Sequence, residues 1–189
     1  MHRFEATHNI FFYERPFDLY ESLFRHISPA LEETTPCVLI LQADHRCDFR
    51  KRLEYGDVPV DIYLQSGVLH ETDAEECLEA FTRGSALCED LFQEQIIPLV
   101  KRDEVFPYVD RRHASRPPYA YGEMVNVLVS RGKPDEALEL ERMWNRLALK
   151  YSFALLCGYD WTGLVKDHGA RFVRQACLEH HRTVTLDPR

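Results

Sequence analysis

Hydrophobic and polar positions along this chain switch repeatedly between a strand-like and a helix-like period. His8-Asn9-Ile10-Phe11-Phe12-Tyr13 is an extended, mostly apolar run that reads as a first strand. Phe17, Tyr20, Leu23, Phe24 and Ile27 then recur at three- and four-residue steps, which predicts a helix with one apolar face ending near Pro29. Cys37 to Leu41 is uninterrupted and β-rich, as expected of a strand covered on both sides. A short helix with Phe49 and Leu53 inside follows and stops at Gly56. Val58 to Leu64 alternates enough to predict a third strand, then come the turn Gln65-Ser66-Gly67 and a short extended piece, Val68 to His70. Thr72-Asp73-Ala74-Glu75 looks like a helix start with acids in its first turn. That helical pattern continues through Leu78, Phe81, Leu87, Leu91, Phe92 and Ile96, with Gly84 as a break.

From Asp103 to Pro118 the periodicity fails. The segment predicts one short strand around 105–109, then a basic, proline-containing loop at about 110–118 that is expected to be mobile. The clearest stretch follows. Gly122 ends an extended run, Glu123 falls at the first turn of a helix, where negative charge is favoured, and Met124, Val125, Val127, Leu128 and Val129 make that helix apolar on most sides. Gly132 stops it and Pro134 opens the next, where Ala137, Leu140, Trp144, Leu147, Ala148 and Tyr151 mark a single face. Phe153 to Cys157 is a short buried strand ending at Gly158. One or two helices carrying Leu164, Phe172, Val173 and Cys177 lead to His180-His181, and residues 183–189 read as a last strand or a frayed tail.

Strands alternating with helices predict an α/β fold: a three-layer, mostly parallel sheet with helices on both faces and right-handed crossovers. At 189 residues, a single domain over 1–189 is expected. No apolar run approaches the roughly 20 residues that span a bilayer, and the first residues show no signal-peptide pattern, so no membrane partner and a cytoplasmic location are expected. A net charge of −8 argues against direct nucleic-acid binding, which needs a basic surface. The runs Arg46, Arg50, Lys51, Arg52 and Arg111, Arg112, His113, Arg116 therefore read as solvated faces rather than an anion site. Six cysteines lie far apart without a CxxC pair, four of them within apolar patterns, and read mostly as small buried hydrophobes rather than a metal site.

In an open parallel sheet, ligands bind outside the C-terminal strand ends. Tyr13-Glu14-Arg15, Asp44-His45-Arg46, Gln65-Ser66, Glu123 and Cys157 to Asp160 would sit there. There is no glycine-rich phosphate loop, no nucleophile elbow and no H-E-x-x-H, so ATPase, hydrolase and zinc-protease chemistry have no motif here, and nothing names a cofactor. The candidate ligand-binding residues are Tyr13, His45, Glu123, Trp144, Asn145 and Tyr159. Each has a plain structural reading as well: Glu123 as a helix-start acid, Trp144 as core, Asn145 as a half-buried amide beside it, and His45, like His8, as a satisfied strand-end imidazole. Tyr13 and Tyr159 follow apolar runs, where a phenol buries its ring and points its hydroxyl into a crevice.

The order of features resembles the MEDS domain, the methanogen/methylotroph sensory domain named for a dichloromethane-responsive regulator. The resemblance is carried by HNIFFYE from His8, CVLILQADHR from Cys37, GVLHETDAEECLEAF from Gly67, YGEMVNVLVSRGKPDEALELERMWNRL from Tyr121 and FALLCGYD from Phe153. The combination of the GEM helix, LE..WN and LLC.Y is its most specific part. It implies a sensory, ligand-binding module similar in fold to RecA- and circadian-clock-type ATPase domains but without a working phosphate-binding loop. His8, Tyr13, Glu123, Trp144, Asn145, Cys157 and Tyr159 fall on its recurrent positions. Tyr119 stands where the family often carries an arginine, and the 110–118 loop is longer than the family needs.

These readings lead to a stand-alone sensory domain that binds a small molecule at the strand ends and modulates a separate signalling protein, with a homodimer compatible. Its site would have Glu123 as polar anchor, Tyr13, Trp144 and Tyr159 as walls, and His45 and Asn145 for orientation, with the loop around His113 as the part that moves. Two alternatives stand beside it. One is a small-molecule enzyme using Glu123 and His45 as an acid/base pair; the other is a ligand-free dimer or adaptor.

Overall fold

The computed structural model describes residues 6–101, 116–167 and 169–184. Long apolar runs in this chain become central strands because both of their faces are covered. In chain order the elements are β1 (Thr7–Tyr13), α1 (Pro16–Glu32), β2 (Cys37–Leu41), α2 (Ala43–Tyr55), α3 (Val60–Gln65), β3 (Leu69–Asp73), α4 (Ala74–Ala80), β4 (Thr82–Arg83), β5 (Ala86–Leu87) and α5 (Glu89–Val100). After the segment 102–115 come β6 (Tyr119–Gly122), α6 (Met124–Ser130), α7 (Pro134–Ala148), β7 (Ala154–Asp160), α8 (Trp161–Asp167), α9 (Gly169–Leu178) and β8 (Arg182–Val184). Six strands pair in parallel in the order β3-β2-β6-β7-β1-β8, while β4 and β5 form a separate antiparallel hairpin. All five residues of β2 are buried. Each Leu or Ile so buried contributes roughly 1.5–3 kcal/mol over an exposed one.

Strand alternation divides the core between the two faces. Phe11, Tyr13, Leu39, Leu41, Tyr121 and Leu156 point towards α1 and α2, where Leu19, Leu23, Ile27, Phe49 and Leu53 meet them. Ile10, Val38, Ile40, Ala120, Leu155, Cys157 and Tyr159 point the other way, onto α4, α5, α6, α7 and α9. The helix following β2 therefore leaves towards one face and the helix following β6 towards the other, although β2 and β6 are hydrogen-bonded neighbours. Such a divergence of neighbouring strands is where open α/β sheets place their ligands.

Three local expectations are corrected. Val58 to Leu64 is not a strand: Pro59 caps α3 and leaves its alternation half-used, with Ile62 63% exposed. Proline cannot donate to a ladder but suits a helix start. The third strand is instead Leu69–Asp73, which pairs residue for residue with β2. Secondly, the helix after Asp73 ends at Ala80, and residues 82–87 form the β4–β5 hairpin around Gly84, whose φ of +64° lies in the left-handed region. Phe81 and Phe92 still meet edge-on across this break, ring centroids 5.3 Å apart. Thirdly, β7 does not end at Gly158 but runs to Asp160. The short strand expected at 105–109, the basic residues Arg111, Arg112 and His113, and most of the expected mobile loop lie outside the described residues. Among the described residues, no helix is long and apolar enough to cross a membrane.

The basic run on α2 has acidic partners. Arg46 faces Asp73, Arg50 binds Glu71, Lys51 binds Asp48, and Arg52 binds Glu21 while stacking 3.7 Å above the Phe24 ring. The exposed Lys51–Asp48 pair contributes little to stability, about 0–1 kcal/mol, while the other three are partly buried. Together these pairs leave little unpaired positive charge on this helix.

Candidate functional site

Glu123 sits where β6 ends and α6 begins, in the N-cap position, but its side chain caps nothing on its own helix. The chain reaches that point through a β6 backbone held to β2, with Glu123 N–H donating to the Ile40 carbonyl at 3.0 Å. Its carboxylate turns across the crevice to the neighbouring strand. Oε2 accepts the Gln42 backbone N–H at 2.8 Å, and Oε1 accepts the Tyr121 hydroxyl at 3.1 Å and faces His45 Nδ1 at 2.7 Å. Glu123 is fully buried, and the His45 side chain is 16% exposed. An ionised carboxylate only accepts hydrogen bonds, so Nδ1 of His45 carries the proton and Nε2 is the nitrogen left for other partners.

Burial alone would lower the His45 pKa, but the hydrogen bond and charge of Glu123, helped by Asp44 and Asp48, outweigh it, and the imidazole titrates above its ordinary value. Tyr13 and Tyr20 flank its ring edge-on, with centroids 6.1 and 5.9 Å away. The Tyr13 phenol is pushed strongly upward by burial, then by the charges of Glu123 and Asp160, so it stays a neutral hydroxyl. Asn126, on α6, donates to Tyr13 Oη at 3.4 Å and accepts the Asp160 N–H at 3.0 Å, joining the ends of β1 and β7 to the same network. Outside it lies a cleft of ≈ 300 Å³ lined by Gln42, Ala43, Asp44, His45, Asp73 and Glu75. Two of its acids are already engaged: Asp73 caps α4 through the Glu75 and Glu76 amides, and Glu75 pairs with Arg131 at 2.9 Å.

Gly158 is what makes room for this arrangement. A Cβ there would collide with the hydroxyl and ring of Tyr121, the residue that donates to Glu123. Glycine inside a strand marks close approach of another group, here a phenol from the adjacent strand.

Of the six candidate residues, Tyr13, His45 and Glu123 come together in this network, and of these only His45 lines the cleft itself. Trp144 does not reach the cleft: it is 1% exposed and packs edge-on against Phe92 and Phe153, centroids 5.2 and 5.8 Å away, in the core on the opposite face. Asn145 and Tyr159 belong to a second buried polar cluster on that same face, centred on Glu141. The Tyr159 hydroxyl donates to Glu141 Oε1 at 2.7 Å, and Asn145 Oδ1 lies 2.8 Å from His8 Nδ1. Sequence reasoning missed Tyr121, Asn126 and Glu141. The signal for Glu141 was an acid one residue from Leu140 and three from Trp144, hence close to the apolar face of its helix, and four residues before Asn145, hence on the same stripe as that amide.

Fold and site together define a doubly wound parallel α/β domain with a buried acid–histidine pair in the crevice between two strand ends. The chain belongs to the MEDS family: the family described as "MEthanogen/methylotroph, DcmR Sensory domain" matches residues 7–181. MEDS is a sensory domain family, which places this chain among sensory proteins. Searches of curated proteins and of solved structures each returned no match.

Proposed function

We propose that this chain senses a small polar molecule in the cleft beside His45 and conveys its binding to a separate signalling protein. The observation that carries this reading is the Glu123 carboxylate, fully buried yet hydrogen-bonded to three groups from both sides of the crevice. It locks the start of α2 to the end of β6, so a molecule that draws His45 towards itself competes with a contact between two elements. A ligand shifts a conformational equilibrium only by its difference in affinity for the two states. The His45–Glu123 contact provides such a difference, because only one arrangement leaves His45 free for the ligand. Asp44, Asp73 and Glu75 give the cleft an acceptor-rich rim, which suits a molecule carrying hydrogen-bond donors or a positive charge.

The same 2.7 Å contact favours a second reading, in which Glu123 orients His45 as an acid–base pair acting on a bound substrate. Thermal denaturation of wild type and Glu123→Gln with a panel of short amines, amides, alcohols and diols tests the sensory reading. At least one compound should raise the wild-type Tm and leave that of Glu123→Gln unchanged. A panel without effect on wild type, or a shift that survives in the variant, would overturn it. Chemical conversion of a stabilising compound by wild type alone would establish the acid–base reading instead.

A further inference from the structure

Glu141, on α7, is the only carboxylate of the described residues that packs fully buried against two histidines and a cysteine. Among those residues, one set of histidine, cysteine and acidic side chains is close enough to share an ion: His8 on β1, Glu141, Cys157 on β7 and His180 after α9, with ligand atoms all within 4.8 Å of one another. All four side chains are shut away from solvent. His8 Nε2 lies 3.1 Å from Glu141 Oε2 and 3.3 Å from Cys157 Sγ; Sγ lies 3.4 Å from Oε2, and His180 Nε2 lies 3.3 Å from Oε1. Bonds of about 2.0–2.3 Å to a tetrahedral zinc place neighbouring ligand atoms about 3.3–3.8 Å apart. The observed separations, 3.1 to 3.4 Å, lie at or just below the short end of those edges, with His8 and Cys157 meeting one carboxylate oxygen of Glu141 and His180 the other.

Proton placement points the same way. His180 Nδ1 donates to the Ala176 carbonyl at 2.6 Å. Asn145 Nδ2 donates to the Glu179 carbonyl at 2.9 Å, which turns Asn145 Oδ1 towards His8 Nδ1 as an acceptor. Both imidazoles thus hold a proton on Nδ1 and aim Nε2 at the cluster, and His180 Nε2 is a buried atom without a hydrogen-bond partner. In their neutral forms these nitrogens would present lone pairs to a carboxylate. Either a second proton on an imidazole or a cation between them removes that conflict, and metal uptake distinguishes the two. An Nδ1–H bonded to a carbonyl is also how metal-bound histidines are usually held, and the Tyr159 hydroxyl on Glu141 Oε1 orients the remaining ligand.

From this geometry we infer that His8, Glu141, Cys157 and His180 form a closed, four-ligand site for a divalent transition metal of the zinc class. Two imidazoles, a carboxylate and a thiolate are a borderline-soft donor set, and with two anionic ligands the loaded site is electrically neutral in a low-dielectric core. With every position filled by protein, the ion acts as a structural tie between β1, α7, β7 and the segment after α9. This departs from the reading of the cysteines as small buried hydrophobes, and it stands independently of the ligand proposed for the cleft beside His45.

The test uses the full chain, purified under reducing conditions, with Zn²⁺ and then Co²⁺ as the probe metals. Wild type should hold one zinc per chain, and its cobalt form should show intense tetrahedral d–d bands and a thiolate-to-cobalt charge-transfer band. That band should be lost in Cys157→Ser and kept in Cys47→Ser and Cys177→Ser. Asn145→Leu, which leaves all four ligands in place, should weaken zinc binding by about 10–100-fold. Folded wild type that takes up neither metal stoichiometrically would overturn the inference, as would a charge-transfer band that survives in Cys157→Ser or disappears in Cys47→Ser. Should Cys157→Ser fail to fold, the wild-type stoichiometry and the Asn145→Leu affinity still decide.

Discussion

Gly158 and Tyr121 show how a single missing side chain can set up a charged site. The Tyr121 hydroxyl reaches Glu123 by passing through the space that a Cβ on residue 158 would occupy. Gly158→Ala forces the phenol aside or pushes β6 and β7 apart, and overpacking of this kind costs about 1–3 kcal/mol. The variant should also disturb the titration of His45, because Glu123 loses a donor and is free to reorient. NMR titration of the His45 ring in wild type and variant, together with urea unfolding, measures both effects. A His45 pKa and an unfolding midpoint unchanged in Gly158→Ala would show that Tyr121 does not position Glu123.

At the scale of elements, α7 carries two different burdens on adjacent stripes. Ala137, Leu140, Trp144 and Leu147 anchor it to the core, while Glu141 and Asn145 form its buried polar stripe. Trp144 contacts Phe92 of α5 and Phe153 just ahead of β7, so it joins elements rather than lining the cleft. Trp144→Ala should destabilise the fold by about 3–5 kcal/mol, the usual cost of emptying a large aromatic site. A compound that stabilises wild type through the cleft beside His45 should raise the Tm of this variant by a similar increment. A lost ligand response in a folded Trp144→Ala protein would assign Trp144 to the binding site after all. Element boundaries also show where local patterns misled: Val58 to Leu64 alternates like a strand, but Pro59 started a helix, and the open edge of β2 was taken by Leu69–Asp73.

Over the whole molecule, the Glu123–His45 contact should appear as a pH dependence of global stability. The folded-state pKa of His45 is raised above its ordinary 6.5, so its contribution is fully present below that value and is lost as pH rises through the higher folded value. Glu123→Gln removes the largest influence that raises it and leaves only Asp44 and Asp48 to oppose burial. The stability gap between wild type and Glu123→Gln should therefore narrow as pH rises from mildly acid to alkaline, read as the difference between their urea midpoints at each pH. A gap that stays constant or widens would show that His45 gains no proton affinity from Glu123.

The alternating parallel α/β character, the buried β2, the two helices after Gly122 and the family were all legible in the chain, because periodicity and short motifs are properties of neighbouring residues. So was the placement of Tyr13, His45 and Glu123 at strand ends, since a strand's C-terminus can be counted along the chain. Which candidates share a site could not be read that way. The strand order places β2 beside β6 and β1 beside β7, while the side-chain alternation sends Tyr13 and Tyr121 to one face and His8, Cys157 and Tyr159 to the other. Tertiary packing thus divided a single list of polar candidates between a network around Glu123, behind the cleft at His45, and a buried cluster around Glu141. The physical reason is that contacts such as His8 with Asn145, 137 residues apart, depend on register and crossover direction, which local sequence does not encode.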